Sequence, residues 1–167
     1  MNIAIIPARG GSRRIKNKNS KIFFGKPIIS YAISTALNSK IFKEVIVSTN
    51  ESKIARISKI SGAKTYFKRK KYLSKNNVPI IDVISYVLKK LEKQRVKPKY
   101  VCCIFPISPM IKKNLKKDGL QILKEKKYDY VISVTKKTYS NQNKLYAMKN
   151  KISKNVKKSK VFYDAGH

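Results

Sequence analysis

Arg9, Arg13 and Arg14 crowd around Gly10-Gly11-Ser12, directly after the apolar run Ile3-Ala4-Ile5-Ile6-Pro7. Guanidinium groups offer forked N–H donors that match phosphate oxygens, and two adjacent glycines let backbone N–H groups approach an anion without Cβ obstruction. The chemistry this spacing suits is the cradling of a phosphate, with Arg9, Gly10, Gly11, Ser12 and Arg13 as candidate donors. A plain basic turn after an edge strand is the competing reading. The coincidence of strand, glycine pair and arginines within a few residues favours the anion site.

Such a loop needs rigid elements around it. Ile3 to Ile6 is an unbroken β-prone run, as in a strand buried on both faces, and Pro7 closes its ladder because it has no N–H to donate. Pro27 opens a predicted helix whose Ile28, Ile29, Ala32, Ile33, Ala36 and Leu37 recur at helical spacing. Val45-Ile46-Val47 reads as the next strand, and Ser48-Thr49-Asn50-Glu51 offers cap chemistry for a helix carrying Ile54, Ile57 and Ile60. Ser61-Gly62 ends that helix, and a short strand from Ala63 to Phe67 leads into the basic loop Lys68 to Lys71. The clearest apolar stripe follows, with Ile80, Ile81, Ile84, Val87, Leu88 and Leu91 on one helix face. Tyr100 to Phe105 reads as a central strand, Leu115 to Leu123 as a helix, Tyr130 to Val134 as a strand and Leu145 to Met148 as a weak one.

Alternating strands and helices predict an α/β, Rossmann-like, mostly parallel sheet with helices on both faces. In such sheets ligands gather at the carboxyl ends of the strands, which brings forward the loops Pro7 to Asn19, Lys68 to Asn76 and Pro106 to Met110. A chain of 167 residues with 42% hydrophobic content can fill one core, so a single domain over 1–167 is expected.

Charge is the outlying property: 40 Lys+Arg face 8 Asp+Glu, a formal +32. The lysines are spread from Lys16 to Lys160 rather than gathered in one arm, and aromatic residues are not interleaved with them as a stacking platform requires. Nucleic acid is therefore expected to bind only through non-specific electrostatics, while the same field speeds encounters with small acidic substrates. Cys102 and Cys103 are neighbours on a strand and point to opposite faces, which favours two buried thiols over a disulfide. His167, the only histidine, stands at the chain's last position, so nearby sequence assembles no Cys-His site. The N-terminal apolar run is too short for a signal peptide and no stretch reaches membrane-spanning length, so a cytoplasmic location is expected.

The loop has neither the Gly-Lys-Ser/Thr ending of a Walker motif nor the G-x-G-x-x-G spacing of a dinucleotide fingerprint. Ile6-Pro-Ala-Arg-Gly-Gly-Ser-Arg-Arg-Ile15, Lys18-Asn19 and Gly25-Lys26-Pro27-Ile28-Ile29 together resemble the opening signature of the CMP-sugar synthetases, cytidylyltransferases that activate nonulosonic acids. Val45-Ile-Val-Ser-Thr49, Lys53-Ile-Ala55, Leu73-Ser74, Val101-Cys-Cys-Ile-Phe-Pro106, Ile132-Ser-Val-Thr135 and Tyr163-Asp-Ala-Gly166 are also similar to that family. The paired cysteines and the closing Asp-Ala-Gly look more like the pseudaminic acid branch than the sialic acid branch.

The resemblance implies a fold of the nucleotide-diphospho-sugar transferase type. It implies attack of a sugar-acid anomeric hydroxyl on the α-phosphorus of CTP, loss of pyrophosphate, and Mg²⁺ offsetting the phosphate charge. By matching position, Arg9, Ser12 and Arg13 hold the triphosphate, Arg13 standing where the family usually has lysine. Lys18 and Asn19 contact phosphate and ribose, and Arg69 frames the cytosine. Lys18 and Arg69 can equally be read as solvated surface charge. Ser108 is a candidate base or ribose contact, Gln142 a candidate near the sugar, and Asp164 the candidate metal ligand. The family's dimer is a further implication.

Departures accompany the resemblance. Around Asn50 and from Lys75 to Asn77 the residues are neutral or basic where relatives often carry acids, and Val78-Pro79-Ile80 replaces a Thr- or Ser-bearing turn. Segment 137–167 is shortened relative to the family. Two other readings therefore stay open: a nucleotide-binding remnant without turnover, and a basic nucleic-acid-binding protein.

Overall fold

The structure, a computed structural model, describes residues 1–12, 14–111, 113–125, 128–133 and 160–164. Its centre is the strand foreseen before the glycine pair, β1 (Asn2–Pro7), where Ile3, Ala4, Ile5 and Ile6 are all fully buried. Because successive strand residues face opposite ways, β1 feeds two cores. Ala4 and Ile6 join one cluster with Ile29, Ile33 and Leu123; Ile3 and Ile5 join another with Ile84, Val87 and Leu91.

The elements around β1 follow in chain order. A hairpin of β2 (Ile22–Phe23) and β3 (Lys26–Pro27) leads into α1 (Ile28–Asn38), β4 (Glu44–Ser48) and α2 (Ser52–Ile60). Then come α3 (Ile80–Lys93), β5 (Tyr100–Ile104), α4 (Lys113–Glu125), β6 (Tyr130–Ile132) and β7 (Lys160–Asp164). The main sheet has the order β4-β1-β5-β7-β6, and every pairing in it is parallel. α1, α2 and α4 contribute to the first core and α3 to the second, so helices cover both faces as expected. Cys102 and Cys103 are buried and fall into opposite cores, the outcome predicted from strand alternation.

Several local expectations are corrected. Pro27 opens α1 as expected, from the N-cap position, but a hairpin not foreseen stands before it and turns through Phe24 (φ 42°) and Gly25 (φ 82°), a left-handed pair matching a type I′ turn. Ile60, placed on the core stripe of α2, is 81% exposed, and Leu37 of α1 is 41% exposed. No side chain caps α2: Thr49 Oγ1 accepts the Glu51 N–H (3.1 Å) and Asn50 turns elsewhere. The strand expected from Ala63 to Phe67 shrinks to one parallel bridge between Ile46 and Lys64. β7 was not foreseen, because the short Val161-Phe162-Tyr163 run stands after a lysine-rich stretch and finds its partners in β5 and β6. The weak strand predicted over Leu145 to Met148 lies outside the described residues. No helix among the described residues is long and apolar enough to cross a membrane.

The single bridge at the β4 edge is reinforced by side chains. Lys64 takes both backbone bonds of the bridge, and its ammonium meets Glu44 Oε1 at 2.7 Å while the Tyr66 hydroxyl donates to Glu44 Oε2 at 2.7 Å. Partial burial works against the Glu44 charge, but the bonds from Lys64 and Tyr66 outweigh it and hold the carboxyl below its usual range. A carboxyl lowered in the folded state lends stability above its unfolded pKa and withdraws it as pH falls through the folded value. Glu44→Gln should therefore flatten the acid limb of unfolding followed by circular dichroism between roughly pH 5 and 3; an acid limb identical to that of the parent protein counts against the clasp.

Candidate functional site

The chain crosses from β1 through α1 to β4 on one side, then returns through α2 and α3 to β5 on the other. This reversal beside β1 opens a crevice at the carboxyl ends of β1 and β5, where open α/β sheets bind ligands. A cleft of about 200 Å³ lies there. Arg9, Ser12, Lys18 and Asn19 line it from the loop after β1. Arg69, Leu73, Lys75, Asn76 and Val78 line it from the segment before α3, and Phe105, Pro106 and Ile107 from the loop after β5. A larger hollow of about 490 Å³ lies between α2 and residues 65–68; it touches the second of these loops only at Lys68 and is lined by no residue of the loops after β1 and β5, so its size does not make it the site.

Arg69 is the expected member whose surroundings the sequence leaves open between a site role and solvated surface charge. It is only 4% exposed, which removes the surface-charge reading. Its backbone N–H donates to Thr49 O (2.8 Å), its Nε to Ser48 Oγ (3.2 Å) and its Nη2 to the Ser48 carbonyl. Among the described residues no carboxylate forms an ion pair with it. Burial, and then the neighbouring Arg9 guanidinium, push Arg69 down to about 10. Both effects disfavour the charged guanidinium, and no described carboxylate offsets them.

The loop after β1 is fixed by polar bonds. Asn19, buried on a short 3₁₀ turn that follows the left-handed Asn17 (φ 56°), donates from Nδ2 to the Arg9 carbonyl at 2.8 Å. Its Oδ1 is buried without a hydrogen-bond partner among the described residues, and the residue lines the same cleft. Arg9 Nη1 reaches the Ser74 carbonyl at 3.4 Å, which ties this loop to the segment before α3. The Gly10 N–H, read from sequence as an anion donor, is instead given to Asn50 Oδ1 at 2.9 Å. A Cβ at Gly10 collides with the Glu51 carboxylate, so this glycine serves close packing against the β4 end. Gly11 (φ 69°) supplies the left-handed turn.

The structure thus brings Arg9, Ser12, Lys18 and Asn19 together with Arg69. Gly10, Gly11 and Ser108 do not line the cleft; Ser108 is 5% exposed, and its Oγ has no hydrogen-bond partner among the described residues. Arg13 and Gln142 lie outside the described residues. Asp164 ends β7 opposite Ile104, at the same end of the sheet as the cleft. Sequence reading did not select Lys75, although it lay inside a loop already singled out; nothing separated it from its many lysine neighbours.

Mg²⁺ prefers carboxylate oxygens. Of the eight acidic residues, Glu44, Glu51, Asp82, Glu92, Asp118, Glu125 and Asp129 have described side chains, and none lines the cleft. No group of three or more metal-binding side chains occurs among the described residues. The described lining does not fit the ion.

The family model described as "Cytidylyltransferase" matches residues 3–165. The chain belongs to the cytidylyltransferase family. It is 33% identical to a pseudaminic acid cytidylyltransferase of Campylobacter jejuni subsp. jejuni serotype O:2, across 99% of this chain and 75% of that protein. It is 32% identical to a CMP-N,N'-diacetyllegionaminic acid synthase of Legionella pneumophila subsp. pneumophila, across 73% of this chain and 53% of that one. Among solved structures, CMP:2-keto-3-deoxy-manno-octonic acid synthetase in complex with CTP matches with a TM-score of 0.66 at 22% identity. That match covers 78% of this chain and 51% of the solved one, so the chain spans about half of that structure's length and shares its fold.

In this cytidylyltransferase the Asn50 to Gly10 bond links the β4 end to the phosphate-type loop. Asn50→Ala leaves the Gly10 N–H without its acceptor and should lower stability by about 0.5–1.5 kcal/mol in urea unfolding, whereas Asn50→Asp keeps an acceptor and loses less. Equal losses in the two variants count against the bond as the cause.

Proposed function

We propose that the chain is a CTP-dependent nucleotidyltransferase that moves CMP from CTP to the anomeric hydroxyl of a nonulosonic acid, pseudaminic acid first among them, releasing pyrophosphate. The observation that carries this reading is the buried Arg69 guanidinium, uncompensated by any described carboxylate, sharing a cleft with Arg9, Lys18 and Lys75. The preference for pseudaminic acid rests on the Campylobacter relative, which aligns with nearly the whole chain.

Nucleotidyl transfer asks a protein chiefly for positioning and for charge stabilisation on the phosphates. Arg9 presents forked donors to phosphate oxygens, Arg69 is reassigned from the cytosine to the phosphates because it shares the cleft with Arg9 and Lys18, and Lys18 adds a compact point charge as the pyrophosphate departs. Ser12 lies on the same wall as a hydroxyl donor, and Asn19 holds the Arg9 carbonyl from the floor of the same loop. Val78, Ile80 and Val83 form an apolar wall against which a pyrimidine ring can pack.

Purified protein given CTP and pseudaminic acid, assayed both with Mg²⁺ and in EDTA, should release pyrophosphate in at least one of the two; a folded protein that releases none in either defeats the reading of turnover. Arg69→Met removes charged hydrogen bonds worth about 1.5–3 kcal/mol each, so CTP affinity measured by calorimetry should fall roughly ten- to hundredfold. Arg69→Lys should fail to restore it, because an ammonium lacks the fork that spans Ser48 and ligand at once. Unchanged CTP affinity in a folded Arg69→Met protein refutes the assigned cleft.

A further inference from the structure

We infer that this cleft binds CTP as the metal-free polyanion, with Lys75 supplying the neutralising charge that a divalent cation would otherwise bring. The inference rests on the nucleotide reading above and adds the ionic form in which the nucleotide is taken.

Lys75 stands directly after Ser74, whose carbonyl accepts Arg9 Nη1 at 3.4 Å. That bond holds the two chain segments together and puts the Lys75 backbone beside Arg9 on the cleft wall. The lysine is exposed while Arg69 is buried, so the cations run from the floor of the cleft to its open side. A flexible ammonium with three donors at the rim can follow the terminal phosphates, and the fixed guanidiniums hold the inner ones.

A divalent cation entering with the nucleotide meets Arg9, Lys18, Arg69 and Lys75 and no described carboxylate. Like charges in a partly desolvated cleft repel strongly, and Mg²⁺ surrenders its waters reluctantly. Chelated CTP also carries less negative charge than free CTP, so the cleft cations gain less from it. The suppressed Arg69 pKa accords with a site that wants negative charge rather than more positive charge. Both arguments favour the uncomplexed nucleotide.

Isothermal titration of the full chain with CTP, at fixed ionic strength, in EDTA and in excess Mg²⁺ tests this. Affinity in EDTA should equal or exceed that in Mg²⁺, and Lys75→Glu should weaken binding in EDTA at least tenfold while weakening it less in Mg²⁺. Circular dichroism on the same samples establishes that the exposed substitution leaves the fold intact. Binding seen only with Mg²⁺ overturns the inference and leaves the nucleotide reading standing. Equal effects of Lys75→Glu in both buffers overturn the role given to Lys75, and no binding in either buffer overturns the nucleotide reading together with the inference.

Discussion

A buried guanidinium needs more than a charge partner; it needs its donors held by fixed acceptors, or burial is not sustained. Arg69 meets this through one residue. The Ser48 carbonyl has two lone pairs, one accepting the Ala8 N–H that continues the β1 to β4 pairing (3.0 Å) and the other accepting Arg69 Nη2. The Ser48 hydroxyl takes Nε. Two of the guanidinium's N–H groups are thereby satisfied by the end of a strand, and the residue that carries them lines a cleft without a described counter-charge. The same carbonyl thus joins the loop after β1 to the residue that defines the cleft floor.

Other features arrange themselves around that junction. Residues 64–69 carry Arg69 inward, yet they pair with β4 through a single bridge, which is little backbone bonding for a segment with such a task. The Glu44, Lys64 and Tyr66 clasp reinforces that weak edge from outside. At the other end of β4, Asn50 and Glu51 brace Gly10 instead of capping α2, so the helix forgoes a side-chain cap and the loop gains a fixed position. Polar residues that composition suggests for helix capping have been diverted to the site, the kind of local inconsistency that functional positions produce.

This diversion also explains what was legible beforehand and what was not. The strand before the glycine pair, the α1 and α3 stripes and the central β5 were readable because burial on both sheet faces leaves continuous apolar runs and helical periods. The phosphate loop was readable because arginines and glycines coincide. Arg69 was picked out by the family resemblance alone and was not separable from surface lysines by composition: its burial depends on Ser48 and Thr49, some twenty residues earlier, and a charge count carries no such information. Ile60 misled for the opposite reason, since helical spacing locates a stripe but does not say where on α2 the packing ends. β7 escaped because its pairing with β5 and β6 is set by the sheet and not by its neighbours in sequence.

The scarcity of acids links the whole chain to its cleft. With 8 carboxylates against 40 cations, the described ion pairs are few, and one of the acids, Glu44, is spent on an edge. A surface that repels itself gains most from bound polyanions, and the place where such an anion gains most is where cations are already desolvated. Arg69 is the most buried cation among the cleft's lining residues. Composition therefore sets a general appetite for negative charge, while the Ser48 junction decides where that appetite becomes specific. A drift toward lysine alone yields the first property and cannot yield the second, because it does not bury a guanidinium on two oxygens of one serine.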